Sequence, residues 1–377
     1  MKICYIALQS THTQRWMRYF TGLGHQVHLI SLNELPEYDG DKVNIHVAKR
    51  FGPHIQTVST LVNSLPVMLQ VRRLIRSINP DVLHAHYIRN DISLLAALTG
   101  FHPFVITAWG SDVFVDAKES KFSRWGAGYA LKKADMVTCD GENMRQPLLE
   151  LGAHPQKISI VYFGVDISKF GPEKRDQALM EQLGIEHSPT VISLRQLHNP
   201  LYDVETLIRA IPLVLNEVPL AKFVIAGGRP EGSPLETKLK DLAKSSGVSD
   251  SIRFVGWLKE DDAPRYIASS DVYVSTSLSD AGLAASTAEA MACELPVIIT
   301  DFGDNRRWVN DGVNGFIIPM RAPEILASKL IHLLKDDNIR KTFGKRNRNI
   351  IVQQNNWAKE MGKMGKLYEQ LAQNCKK

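Results

Sequence analysis

One stretch constrains the fold more than any other: Ser275 to Thr300, which reads STSLSDAGLAASTAEAMACELPVIIT. Val272, Val274 and Thr276 alternate with Tyr273 and Ser275 as a half-buried strand does, and Pro296 opens a second short apolar run ending at Thr300. Between them lies a helix. Ser286 to Glu289 has capping-box spacing, in which a hydroxyl accepts from the helix's free amides and the glutamate reaches back to the cap. The small residues from Gly282 to Ser286 also let a ligand approach the backbone at a helix N-terminus, whose free N–H groups favour phosphate.

The same pattern recurs along the chain. Residues 2–7 and 27–31 read as parallel strands around the amphipathic segment Gln14 to Leu23, which Gly24 and His25 end. Further strands are expected at 81–87, 104–107, 136–139 and 158–161, then at 191–195, 223–228 and 253–257, with helical segments between them. This is an α/β chain of doubly wound, Rossmann-like halves. At 377 residues and 42.2 kDa it is comfortable with two cores.

Several functions are disfavoured. The opening MKICYIALQS has too short an apolar run for a signal peptide and reads as a first buried strand. The most apolar long stretch, Val58 to Val71, is broken by Asn63, Pro66 and Gln70, short of the ~20 residues a span needs. Cys4, Cys139, Cys293 and Cys375 are isolated, as suits a reducing cytoplasm. The net charge of +5 is not interleaved with aromatics as in nucleic-acid grooves. The loop Gln9 to Thr13 lacks the GxGxxG of dinucleotide sites, which disfavours nicotinamide chemistry. His84 and His86 share a strand face at a spacing a metal could use, but no carboxylate or cysteine cluster accompanies them.

The Ser275–Thr300 run resembles the nucleotide-sugar motif of the family-four retaining glycosyltransferases, which have the GT-B fold of two Rossmann-like domains facing a cleft. The resemblance extends over nearly the whole chain, through Phe163-Gly-Val-Asp166, Arg195, Asp301 to Asn305 and Asn310 to Phe316. It implies an N-terminal acceptor domain over 1–170, rejoined by a C-terminal helix in 357–377, and a donor domain over 171–356. In that family a glutamate holds the donor's ribose, and by register Glu289 takes that role. A second glutamate, eight positions earlier, lies beside the transferred sugar; its position falls on Ala281, with Asp280 one residue before it. An arginine and a lysine hold the diphosphate: Arg195 matches the first, and Tyr202 falls in the lysine slot. A phenol is neutral at physiological pH. His198, Arg229, Lys259, Arg306 and Arg307 are the candidates to replace that cation.

The resemblance thus makes Arg195, Glu289 and Asp280 the expected catalytic set. The donor would meet Arg195, Tyr202, Gly228, Trp257, Leu258, Lys259, Gly282, Leu283, Ala284, Ser286 and Glu289. The acceptor would meet Thr11, His12, His86, Trp109 and Asp112, with Trp109 standing where the family has histidine. An indole gives a stacking face and one N–H donor but no proton exchange near neutrality. Ser10, Thr11 and Thr13 also fit simple helix capping.

The implied activity is metal-independent, retaining transfer of a sugar to a glycan or lipid-linked acceptor in cell-envelope polysaccharide synthesis. The nucleotide-diphosphate sugar is a co-substrate, UDP-sugar ahead of GDP-sugar, and no cofactor or metal is expected. The alternative is a non-catalytic or regulatory nucleotide-binding protein of the same fold. The protein is expected in the cytoplasm. Arg72, Arg73 and Arg76, ending the helical segment Ile55 to Ile78, read as a solvated helix end or as a lip on the inner membrane face.

Overall fold

The computed structural model describes residues 1–8, 10–32, 42–48 and 64–375, with Thr11 described by its backbone alone. It divides into two compact units, Met1–Tyr162 with Glu360–Lys377, and Phe163–Lys359.

In the first unit the elements run β1 (Lys2–Ile6), α1 (Thr11–Gly22), β2 (Gln26–Ser31), β3 (Val43–Val47), α2 (Leu65–Ile78), β4 (Val82–His86), α3 (Leu95–Leu98), β5 (Phe104–Ala108), α4 (Ser111–Phe114), α5 (Lys121–Lys133), β6 (Met136–Cys139), α6 (Arg145–Glu150) and β7 (Ile158–Ile160). The strands form one parallel sheet in the order β3-β2-β1-β4-β5-β6-β7. Its central strands, buried on both faces, are predominantly apolar, with His84, His86 and Thr107 as polar insertions, and this made them legible. α1 buries Trp16, Met17 and Phe20, each side chain contributing about 1.5–3 kcal/mol.

The second unit runs α7 (Gln177–Leu183), β8 (Thr190–Leu194), α8 (Val204–Glu217), β9 (Lys222–Ala226), α9 (Pro234–Ser245), β10 (Ile252–Gly256), α10 (Ala263–Ala268), β11 (Val272–Ser275), α11 (Ala285–Ala292), β12 (Val297–Thr300), α12 (Asn305–Trp308), β13 (Gly315–Ile318), α13 (Pro323–Lys335) and α14 (Asp337–Gln354). Its parallel sheet has the order β10-β9-β8-β11-β12-β13. α14 crosses the end of α11 so closely that a Cβ on Gly344 would stand 1.9 Å from the Glu294 carbonyl oxygen.

The last helix, α15 (Trp357–Asn374), starts in the second unit and finishes in the first. There Met361, Met364 and Tyr368 are fully buried, and the Tyr368 hydroxyl meets the Tyr5 hydroxyl at 3.1 Å and His84 Nδ1 at 2.5 Å. The chain leaves the first unit after Tyr162, ahead of the expected crossing near Gly171. Val165 donates to the Asn355 carbonyl at 2.8 Å and Gly164 to Asn355 Oδ1 at 3.0 Å, which ties the segment after Tyr162 into the second unit.

Each sheet reverses its strand order once, at β1/β4 in the first unit and β8/β11 in the second. In open α/β sheets ligands bind outside the carboxyl ends of the strands at such a reversal.

Candidate active site

Arg195 follows β8, and the Ser275–Asp280 turn follows β11, so both stand at the second unit's reversal. Arg195 is buried; its Nε and Nη2 donate to Ser275 Oγ at 2.9 and 2.7 Å. Nη2 and Nη1 reach Asp280 Oδ2 at 3.1 Å and Oδ1 at 3.4 Å. Burial pushes the Asp280 carboxyl up while the guanidinium opposes it. Asp280 faces Arg195 within this turn, and Gly282, at φ 56°, takes the left-handed conformation ahead of α11. Ala281 carries no carboxylate, and the one beside it, Asp280, is engaged by Arg195.

Tyr202 lies against the same group, its ring centroid 5.2 Å from the Arg195 guanidinium carbon. The phenol therefore adds a π face to one cation rather than a second cation. Arg195, Asp280 and Tyr202 form one cluster, joined by Ser275, which went unassigned in the sequence although it shares a strand face with Tyr273.

The expected capping box at Ser286 is a misreading. α11 begins at Ala285 and its cap residue, Ala284, offers no side-chain bond. Ser286 lies inside the helix, its hydroxyl donating to the Leu194 carbonyl at 3.2 Å and meeting the Tyr273 hydroxyl at 2.8 Å. This binds the first turn of α11 beside Arg195, with no side chain capping its amides. Leu283 and Ala284 are buried at that entry, and Glu289 is half-buried one turn further on.

The remaining candidates lie on the neighbouring loops. Gly227, at φ 113°, donates to the Gly256 carbonyl at 2.7 Å, joining the loops after β9 and β10. Gly228 rests on Glu236, whose carboxylate oxygen would be 2.6 Å from an added Cβ. Trp257 is exposed, Leu258 half-buried and Lys259 exposed, with the Lys259 carbonyl starting α10. Of the substitute cations, Arg229 Nη2 lies 2.9 Å from His198 Nε2 on adjacent loops, whereas Arg306 is held by both oxygens of Asp301.

At the first unit's reversal the structure gathers His12, Thr13, His86 and Trp109. Ser10 caps α1 by accepting from the Thr13 amide at 3.2 Å, and Thr13 Oγ1 meets His86 Nδ1 at 3.1 Å. His12 stacks on Trp109 with centroids 4.7 Å apart and planes 13° from parallel. One indole face is thus taken by an imidazole, which leaves the other face for a sugar ring. His84 is engaged at both nitrogens, by Tyr368 and by Thr107 Oγ1 at 2.7 Å, so it is no ligand for a metal.

Asp112 is also placed differently from expectation. It is fully buried and accepts from the amides of Ile88 and Gly110 at 2.8 Å and of Trp109 and Val113 at 3.1 Å. Burial pushes its carboxyl up to about 6 against those donors. It holds the Tyr87 and Trp109 loops in place rather than presenting an oxygen to a ligand; Tyr87 is kept at φ 82°, a costly conformation for a non-glycine residue. The Thr11 side chain lies outside the described residues.

Burial holds the two imidazoles neutral, His12 at about 4 with Arg15 adding to the effect, and His86 at about 3 with His12 adding. Both lie below the unfolded value of about 6.5, so the stability they contribute is complete above that pH and is lost as pH falls toward 4. The loss should be on the order of 3 kcal/mol for each. Thermal unfolding should therefore weaken steeply between pH 6.5 and 4, and His86→Gln should flatten that slope; an unchanged slope would contradict this account.

The sequence pattern described as glycosyl transferases group 1 matches residues 176–350, and that described as glycosyl transferase 4-like matches residues 2–141. An Escherichia coli protein named UDP-Gal:alpha-D-GlcNAc-diphosphoundecaprenol alpha-1,3-galactosyltransferase is 26% identical over 89% of this chain and 87% of its own length. A D-inositol 3-phosphate glycosyltransferase of Salinispora arenicola is 30% identical over 70% of this chain. The chain spans 63% of that relative and 59% of an uncharacterised glycosyltransferase of Methanocaldococcus jannaschii. Among solved structures, Anabaena HepE in complex with UDP and glucose superposes with a TM-score of 0.81 at 19% identity, over 98% of this chain and 100% of that one.

Proposed function

The chain belongs to the family-four-like glycosyltransferases with the GT-B fold, and from that premise we propose that it transfers a sugar from a nucleoside diphosphate to a glycan or lipid-linked acceptor. The observation that carries the reading is the pairing of buried Arg195 with the uncapped first turn of α11 at the second unit's strand reversal. A diphosphate gains negative charge as it leaves, and a fixed guanidinium with free helix amides is suited to receive it. Glu289, one turn along α11, would take the ribose hydroxyls. The acceptor would be met in the first unit by His12, His86 and Trp109.

The transfer is proposed to retain anomeric configuration without metal. The donor's C1–O bond to phosphate breaks while the acceptor oxygen bonds C1 from the same face, and the hydroxyl proton passes to the departing phosphate oxygen. Two neutral, buried imidazoles are consistent with a reaction that asks no protein base to ionise. A UDP-sugar is the favoured donor, supported by the named substrate of the Escherichia coli relative and the ligand of the Anabaena structure. The first of these also supports a role in cell-envelope glycan synthesis. No helix among the described residues is long and apolar enough to cross a membrane. A lipid-linked acceptor would instead be reached by peripheral contact through α2, which exposes Leu65 and Leu69 beside Arg72, Arg73 and Arg76. The part of that segment before Ser64 lies outside the described residues.

One observation favours a second reading, a non-catalytic nucleotide-binding protein: Arg195 is already neutralised by Asp280, and Tyr202 adds no charge. Calorimetry with UDP, GDP, ADP and CDP separates the two, followed by UDP-sugar turnover with a lipid-linked glycan. UDP should bind best, and Glu289→Ala should weaken it about 10- to 100-fold through loss of charge-assisted hydrogen bonds. Binding of none of the four would sink the transferase reading, and binding without any sugar transfer or nucleotide release would favour the second.

A further inference from the structure

The outer face of α5 (Lys121–Lys133) has no place in the chemistry above. Its inner face is small and tightly seated: Gly126, Ala127, Ala130 and Leu131 are buried, and a Cβ on Gly126 would fall 1.9 Å from Asn90 Oδ1. The helix cannot turn on its axis, so what it presents outward is fixed. Phe122, Trp125 and Tyr129 share that outward side, with Trp125 50% exposed. Their rings stack along the helix, Phe122 on Trp125 at 5.5 Å and 23°, and Trp125 on Tyr129 at 5.8 Å and 28°.

Two features identify the occupant. Trp125, the most exposed of the three, is stacked on both Phe122 and Tyr129, so a sugar, which packs its C–H face on an open aromatic face, finds no platform on it. An apolar layer into which edges insert, with the indole N–H and phenol at its polar boundary, suits them. The charges agree: the helix carries Lys121, Arg124, Lys132 and Lys133 and no carboxylate. Lys133 Nζ lies 5.9 Å from the Tyr129 ring centre, and Lys118 precedes the helix on the exposed surface, followed by exposed Glu119, with Asp116 facing Arg89. α3 contacts both α2 and α5, so the two helices flank it in one layer, and α2 likewise bears arginines and no carboxylate.

We propose that α5 docks the first unit on an anionic lipid bilayer, Phe122, Trp125 and Tyr129 entering the interface while the lysines and Arg124 reach lipid phosphates. The proposal extends the peripheral contact assigned to α2 and is independent of the donor chemistry in the second unit.

Sedimentation of the full chain with vesicles of phosphatidylcholine alone, or with a third phosphatidylglycerol, tests it. The parent should pellet with the anionic vesicles and be released by salt. Trp125→Ser with Phe122→Ser should abolish pelleting. Lys121→Glu with Arg124→Glu should weaken it at least about 25-fold, at about fivefold per charge removed. The heat of UDP binding, read on the same proteins, should be unchanged, which separates a failure of docking from a failure of the donor assignment, and an unchanged urea-unfolding profile reports that the first unit of each variant is folded. Three results would overturn the proposal: a parent that stays in the supernatant, α5 variants that pellet like the parent, or self-association abolished by Trp125→Ser without vesicle binding, which would make the face a protein interface.

Discussion

Arg195→Ala should lower turnover about 100- to 1000-fold, the usual cost of removing one preorganised group facing charge that develops in the transition state. It should also destabilise the second unit, because the same substitution strands Asp280 in the interior. Breaking a buried ion pair from one side costs about 3–5 kcal/mol, whereas removing both partners is far milder. The double variant Arg195→Ala with Asp280→Ala should thus recover most of the urea-unfolding midpoint and none of the turnover. Recovery of turnover along with stability would mean that Arg195 serves only to neutralise Asp280. Asp280→Asn should act in the opposite direction on binding, since it frees the guanidinium for a diphosphate; calorimetry with UDP reads that directly.

Gly227→Ala is expected to be nearly as damaging, through the backbone. At φ 113° any side chain is strained, and the added Cβ would stand 2.1 Å from the Arg195 carbonyl oxygen. Neither partner can retreat: Arg195 donates to the Ala226 carbonyl at 3.1 Å, Leu197 to that of Gly227 at 3.1 Å, and Gly227 to that of Gly256 at 2.7 Å. Strain and overpacking together should cost about 2–4 kcal/mol, and a displaced Arg195 should weaken UDP binding. Gly232→Ala, with a positive φ but nothing within 4 Å, separates the two causes because it bears the strain alone. Equal effects at both positions would remove the argument from close approach.

The parallel strands were legible because strands buried on two faces are written as largely apolar runs with few alternatives, as in Lys2–Ile6 and Val297–Thr300. β3 was not, since Val43–Val47 is an edge strand whose Asn44 and Ile45 are exposed and whose sequence carries no such run. The capping box failed for a tertiary reason: Ser286 has the right spacing to Glu289 but lies inside the helix, where its hydroxyl donates to the Leu194 carbonyl and meets the Tyr273 hydroxyl instead of capping. Asp280 was ambiguous because spacing cannot reveal that it pairs with Arg195, eighty-five residues away. The stacking of His12 on Trp109 joins residues from distant segments and leaves no local signal. Asp112 looked like a ligand-binding carboxylate because sequence shows a side chain and not the four amides that occupy it.

The last turns of α15 bear on the order in which the molecule is made. Tyr368 closes the interior of the first unit, and without it the Tyr5 hydroxyl and His84 Nδ1 would be buried with that partner missing. A ribosome releases residues 1–162 first, yet the wall they need is synthesised only after the whole second unit. The second unit is continuous and complete as soon as Lys359 emerges. Domains ordinarily mature in the order of their synthesis; here the half that appears first is the one that must wait.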